Sequence, residues 1–136
     1  MNFLFYLTPV GQQIMSNVML KNYKVQENSS ICKTYKEIFG AVIEDKFVIC
    51  TDNIKNNISP VKHYVNETIY HEAVHVAQSC KGGPLGIKSP LLSSQKLNDV
   101  KRSTKYNKDA FTYEVEAYYL EDKPEQVLSY IEKYCF

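Results

Sequence analysis

Two histidines, His71 and His75, stand four residues apart, with Glu72 directly after the first. On a helix, positions i and i+4 lie one turn apart on the same face. Two imidazoles at that spacing can hold one zinc ion. Glu72, one step round the helix, then lies beside the metal, where a carboxylate can take a proton from a zinc-activated water. The chemistry this predicts is hydrolysis, with His71 and His75 as metal ligands and Glu72 as general base.

A catalytic zinc needs a third protein ligand and an open fourth position. An astacin-like continuation would put Gly at 78 and His at 81, where this chain has Gln78 and Lys81. His63 lies two turns upstream, too far along the axis to close the site. Cys50 is a ligand by type, but the glycine-rich surroundings such a cysteine has in peptide deformylases are missing. The stretch Tyr113-Glu114-Val115-Glu116-Ala117-Tyr118 supplies two carboxylates. Glu114 has Ala110 and Ala117 as its i−4 and i+3 neighbours, a face that lets another helix approach. Glu116 is surrounded by Thr112, Tyr113, Tyr119 and Leu120. Glu114 is therefore the expected third ligand and Glu116 the alternative. The candidates for an oxyanion donor are Tyr118, Tyr113, Tyr106 and His63.

These side chains need a frame. The stretch Val61 to Lys81 holds no Pro or Gly. Val61, Val65, Ile69, Ala73, Val76 and Cys80 form one apolar stripe on its helical wheel, with His71, Glu72 and His75 along the edge. Pro60 precedes this helix and Lys81-Gly82-Gly83-Pro84 stops it. Upstream, residues 9–26 read as a helix whose first turn suits Pro9. Residues 34–43 and 46–51 read as two strands joined by a turn at Glu44-Asp45, and 52–60 as a polar loop. Downstream, 109–121 reads as a helix and Pro124 opens another running to about 134. The expected fold is α+β: a small zincin-like domain with a short β-hairpin packed on the metal-binding helix and further helices at the C-terminal end. An extended peptide could pair with an exposed strand edge, over the metal.

With these residues in view, the chain resembles the gluzincin branch of zinc metallopeptidases. There, His-Glu-x-x-His is followed by a Glu on a second helix. Small members of the HtpX-like and ImmA-like types often carry that Glu three residues before an Ala, as Glu114 and Ala117 stand here. The order of strand (Phe47-Val48-Ile49-Cys50), motif helix and Glu-x-x-Ala is similar as well, and the resemblance covers roughly residues 45–120. It implies a zinc-dependent peptidase, an endopeptidase acting on peptide or protein substrates. One departure is Tyr118, which stands where many gluzincins have an acid.

The rest of the sequence bounds this reading. A length of 136 residues fits one domain, 1–136. A net charge of +1, with Arg102 the single arginine, gives no global pull towards nucleic acid or membrane. No stretch approaches the ~20 apolar residues of a spanning helix. The first residues lack the basic start of a signal peptide. The four cysteines form no CxxC pair, and at this size no disulfide framework is indicated, so a cytoplasmic location is expected. From 81 to 108, Lys81, Lys88, Lys96, Lys101, Arg102, Lys105 and Lys108 face only Asp99, a basic loop or flap. Two rival classes remain. One is a non-catalytic zinc-containing protein-interaction module, against which an intact Glu72 argues. The other is a DNA-associated protease using those lysines. In SprT-like proteases of that kind the third ligand is His, which this chain lacks after His75.

Overall fold

A computed structural model describes residues 1–105 and 107–136 of the chain. It is an α+β fold in which one long central helix carries the motif. A short 3-10 turn, Asn2–Tyr6, leads into α1 (Pro9–Leu20), capped by Thr8, whose side-chain oxygen accepts from the Gly11 amide. The strands are β1 (Lys24–Glu27), β2 (Gly40–Ile43) and β3 (Lys46–Ile49), and α2 (Ser30–Thr34) separates the first two. Helix α3 (Thr51–Asn57) precedes α4 (Val61–Lys81), and α5 (Ser94–Ser103), α6 (Phe111–Leu120) and α7 (Pro124–Cys135) follow.

The sheet order is β1-β3-β2, with β1 parallel and β2 antiparallel to β3. Central β3 is apolar because it is covered: Phe47, Val48 and Ile49 are all buried. Strand β2 lies at the edge and returns from β3 through Glu44-Asp45, with Glu44 at a φ of 56°. Helix α4 packs against α1, α6, α7 and the sheet. Its predicted stripe is the anchor, since Val65, Ile69, Ala73 and Val76 have no exposed surface. Burial of each larger aliphatic side chain stabilises by about 1.5–3 kcal/mol, enough to hold the helix in one rotation. Gly82, at a φ of 86°, ends α4 in the left-handed cap conformation predicted for it.

Four expectations need correction. The first helix ends at Leu20; Val25 belongs to β1, which pairs with β3. The first strand of the hairpin is confined to Gly40–Ile43; of the expected strand 34–43, Thr34 closes α2 and 35–39 are irregular. The expected loop at 52–60 contains α3, whose Ile54 is buried and whose Asn53 donates to the carbonyls of Cys32, Tyr35 and Ile38. Finally, the cysteines are paired, Cys32 with Cys50 and Cys80 with Cys135. The second bridge ties the end of α4 to the end of α7. Among the described residues, no helix is long and apolar enough to cross a membrane.

Candidate metal centre

His71 and His75 project from successive turns of α4 towards α6, where Glu114 meets them in the first turn. The Nε2 atom of His75 lies 2.6 Å from Glu114 Oε1, and Nε2 of His71 lies 3.4 Å from Glu114 Oε2. One ligand atom from each of the three residues can be chosen so that all lie within 4.8 Å of one another. The group could hold a metal ion. Two imidazole nitrogens and one carboxylate oxygen are the donor set of a catalytic centre with an open position.

The opposite edge of each imidazole is also held. Nδ1 of His71 is 2.9 Å from Glu121 Oε1, and Nδ1 of His75 is 2.7 Å from Gln78 Oε1. Such partners fix ring orientation and leave Nε2 free to ligate. Neither residue was foreseen. Glu121 follows Glu114 by seven positions, two helical turns, so a heptad count from the ligand would have found it. Gln78 follows His75 by three, the other spacing that brings helical side chains together.

Glu72 lies in the same buried group, its Oε2 4.0 Å from Nε2 of His71. In the metal-free chain burial raises its pKa above the ordinary carboxylate value, and Glu114 and Glu121 add to this against the two histidines. Burial opposes charge on the histidines, but their contacts with carboxylates outweigh it and both pKa values rise, that of His71 strongly. Burial also opposes charge on Glu114, yet its hydrogen bonds to His71 and His75 hold the carboxyl far below its usual range.

Glu116, the alternative ligand, turns away from this group. It is 2% exposed, and its oxygens accept from Gln78 Nε2 and from the backbone amides of Leu85, Gly86 and Ile87. Of the oxyanion candidates, Tyr118 packs edge-on against His71, ring centroids 4.5 Å apart. Burial and the surrounding carboxylates push its phenol well above its ordinary pKa, so it stays a donor. Tyr113 lines a cleft with His75 and Glu114, and its carbonyl accepts from Gln78. His63 lies outside the group, 3.6 Å from Glu67, on a separate cavity that also touches Thr8, Tyr70 and Pro124. Tyr106 lies outside the described residues. Cys50 is bonded to Cys32 and is not a thiolate ligand.

Two further elements brace the centre. Helix α5, within the basic segment 81–108, packs on α6; its Lys96 stands 3.6 Å from Glu121 and its Ser103 is 3.3 Å from Glu114. On the other side β2 approaches α4 at Gly40. A Cβ there would come within 2.8 Å of Thr68 Cγ2, 3.0 Å of the Val48 carbonyl and 3.1 Å of Glu72 Cγ. Only a residue without a side chain lets the strand lie this close to the motif helix. The cleft beside His75 and Glu114, of about 560 Å³, lies between Val42 and Glu44 of the hairpin, Gln78 and Ser79 of α4, and Ala110 and Tyr113.

Comparison with known proteins matches residues 3–136 to the family described as "Domain of unknown function (DUF8637)". No curated protein and no solved structure matches the chain.

Proposed function

This chain belongs to the DUF8637 family, and we propose that it is a zinc-dependent peptidase of the gluzincin type, hydrolysing peptide or protein substrates. The observation that carries the reading is the convergence of His71 Nε2, His75 Nε2 and the Glu114 carboxylate beside an open cleft, with Glu72 next to them. A structural site has no use for a buried carboxylate at that position.

Zinc bound by His71, His75 and Glu114 would act as a Lewis acid and make water nucleophilic near neutral pH. Glu72 takes the proton as the water oxygen attacks the peptide carbonyl carbon. It returns that proton to the nitrogen as the C–N bond breaks. Tyr113, which lines the cleft, and Tyr118, against His71, are the candidates to donate to the developing oxyanion. An extended substrate would pair with the edge of β2, which Gly40 brings down onto Glu72.

The bridges Cys32–Cys50 and Cys80–Cys135 favour an oxidising compartment over the cytoplasm. Nucleic acid is a poor fit as partner, because Lys96 and Arg102 of the basic segment face Glu121, Asp122 and Asp99.

Zinc stoichiometry tests the site. Wild type is expected to bind one ion per chain, and Glu114→Gln to lose it. Peptide hydrolysis tests the activity. Glu72→Gln should keep zinc and lower kcat by roughly 10²–10⁴-fold. Well-folded wild type that takes up no zinc would overturn the reading.

A further inference from the structure

We propose that Glu116 is a positioning residue for the metal, because through Gln78 it decides which nitrogen of His75 carries the proton. The inference rests on the metal site and does not require that the site hydrolyse peptides.

Gln78 is 2% exposed. An amide can turn over with no change of shape, so its partners choose its orientation. One end faces the Tyr113 carbonyl at 3.0 Å and Glu116 Oε1 at 2.9 Å. A carbonyl can only accept. Glu116 meets only donors through both oxygens: Gln78 and the Leu85 amide at one, the Gly86 and Ile87 amides at the other. The NH₂ group of Gln78 must therefore point towards Glu116 and Tyr113. That leaves Oε1 facing His75 Nδ1 at 2.7 Å, where it can only accept. Nδ1 must carry hydrogen, so when the ring gives up a proton to bind a metal it is Nε2, on the side of Glu114, that is left with the lone pair.

Replacing Glu116 by glutamine breaks this logic. A carboxamide offers one acceptor and one NH₂ where four donors now converge. If its NH₂ faces Gln78, two donors meet, and only the Tyr113 carbonyl is left to oppose the turning over of that amide. Gln78 then presents NH₂ to His75 Nδ1, the ring proton moves to Nε2, and the nitrogen aimed at the metal is blocked. Adding Glu at position 78 restores the polarity. One of its oxygens accepts from His75 Nδ1, and the other accepts from the new NH₂ at 116 while lying against the Tyr113 carbonyl, so the recovery expected is partial. This second change does nothing for the amides of 85–87, so a role confined to anchoring that loop predicts no rescue.

The experiment measures zinc affinity by competition with a chromophoric chelator for wild type, Glu116→Gln, and Gln78→Glu/Glu116→Gln. Long-range ¹H–¹⁵N spectra of histidine-labelled, zinc-loaded protein report which nitrogen of His75 is protonated. Glu116→Gln is expected to weaken zinc binding roughly 10–100-fold, with loss of the Nδ1–H signal, and the double variant to recover both in part. Gln78→Met removes the acceptor and leaves the bonds between Glu116 and the loop amides in place, and carries the test if Glu116→Gln does not fold; it should show the same loss. Wild-type affinity with an intact Nδ1–H signal in Glu116→Gln or in Gln78→Met would overturn the proposal. So would loss in Glu116→Gln without recovery in the double variant. A wild type that binds no zinc would instead remove the metal site itself.

Discussion

Glu121 holds Nδ1 of His71 at 2.9 Å from seven positions beyond Glu114, so one short helix and its C-terminal cap supply both the carboxylate of the His71–His75–Glu114 group and the support of one of its histidines. Lys96 of α5 stands 3.6 Å behind that carboxylate. Glu121→Leu should keep the fold and weaken zinc binding roughly 10–100-fold. Lys96→Met should produce a smaller loss of the same sign. Chelator competition on both variants reads the order, and an unchanged affinity in Glu121→Leu would remove Glu121 from the site.

The metal-free centre should make stability depend on pH with a definite sign. His71 and His75 have pKa values raised above 6.5, so the stability they add is full below that pH and is lost as pH rises through the folded values. Glu72, raised above 4.5, acts in the same direction. Glu114 acts oppositely: its contribution is present above 4.5 and is lost as pH falls towards its depressed folded value. Calorimetry of metal-free protein should show Tm falling on the alkaline side of neutrality. Zinc requires unprotonated imidazoles, so the gap in Tm between loaded and free protein should widen as pH rises. A metal-free Tm that is flat across this range would contradict the cluster.

Loss of either disulfide should be felt in proportion to the loop it closes. The bridged residues are 18 apart in Cys32–Cys50 and 55 apart in Cys80–Cys135. Chain-entropy arguments give about 3 and about 4 kcal/mol respectively. Urea unfolding of the paired serine variants measures both, and thiol titration of unfolded, unreduced wild type should find no free cysteine.

Gly40→Ala should separate catalysis from metal binding. The added methyl meets Thr68, Val48 and Glu72, a crowding that costs about 1–3 kcal/mol. None of His71, His75 and Glu114 lies in its path. Zinc content should remain at one per chain while peptide hydrolysis falls, because Glu72 is displaced. Equal loss of zinc and activity would show that the strand positions more than the general base.

The motif helix was legible because three signals agreed: an apolar stripe, a proline before it and glycines after it. Glu114 was legible because its neighbours Ala110 and Ala117 are small, and helix–helix approach depends on that. What stayed hidden depends on partners remote in sequence. Lys24 to Glu27 makes a strand only because β3 lies beside it in parallel, and Val25 also continues a helical spacing from Val18. Helix α3 is polar by composition and is fixed by Asn53 reaching back to three carbonyls of the preceding segment. Glu116 differs from a surface carboxylate through Gln78 and the amides of a loop some thirty residues earlier. Cysteine spacing carried no pairing information, since the bridges follow from the packing of α2 beside the end of β3 and of α7 along α4.

The bond between Cys80 and Cys135 has one more effect. The stretch between α4 and α5 is irregular and carries Leu91 at 86% exposure, so it is the natural place for a protease to nick the chain. A trypsin cut after Lys88 would put both histidines on one fragment and Glu114 on the other. The bridge, with one sulfur on each side of the cut, would keep the halves a single molecule with its ligand set assembled. Such a nicked protein would migrate intact on a gel until reductant was added, and only then fall into two bands.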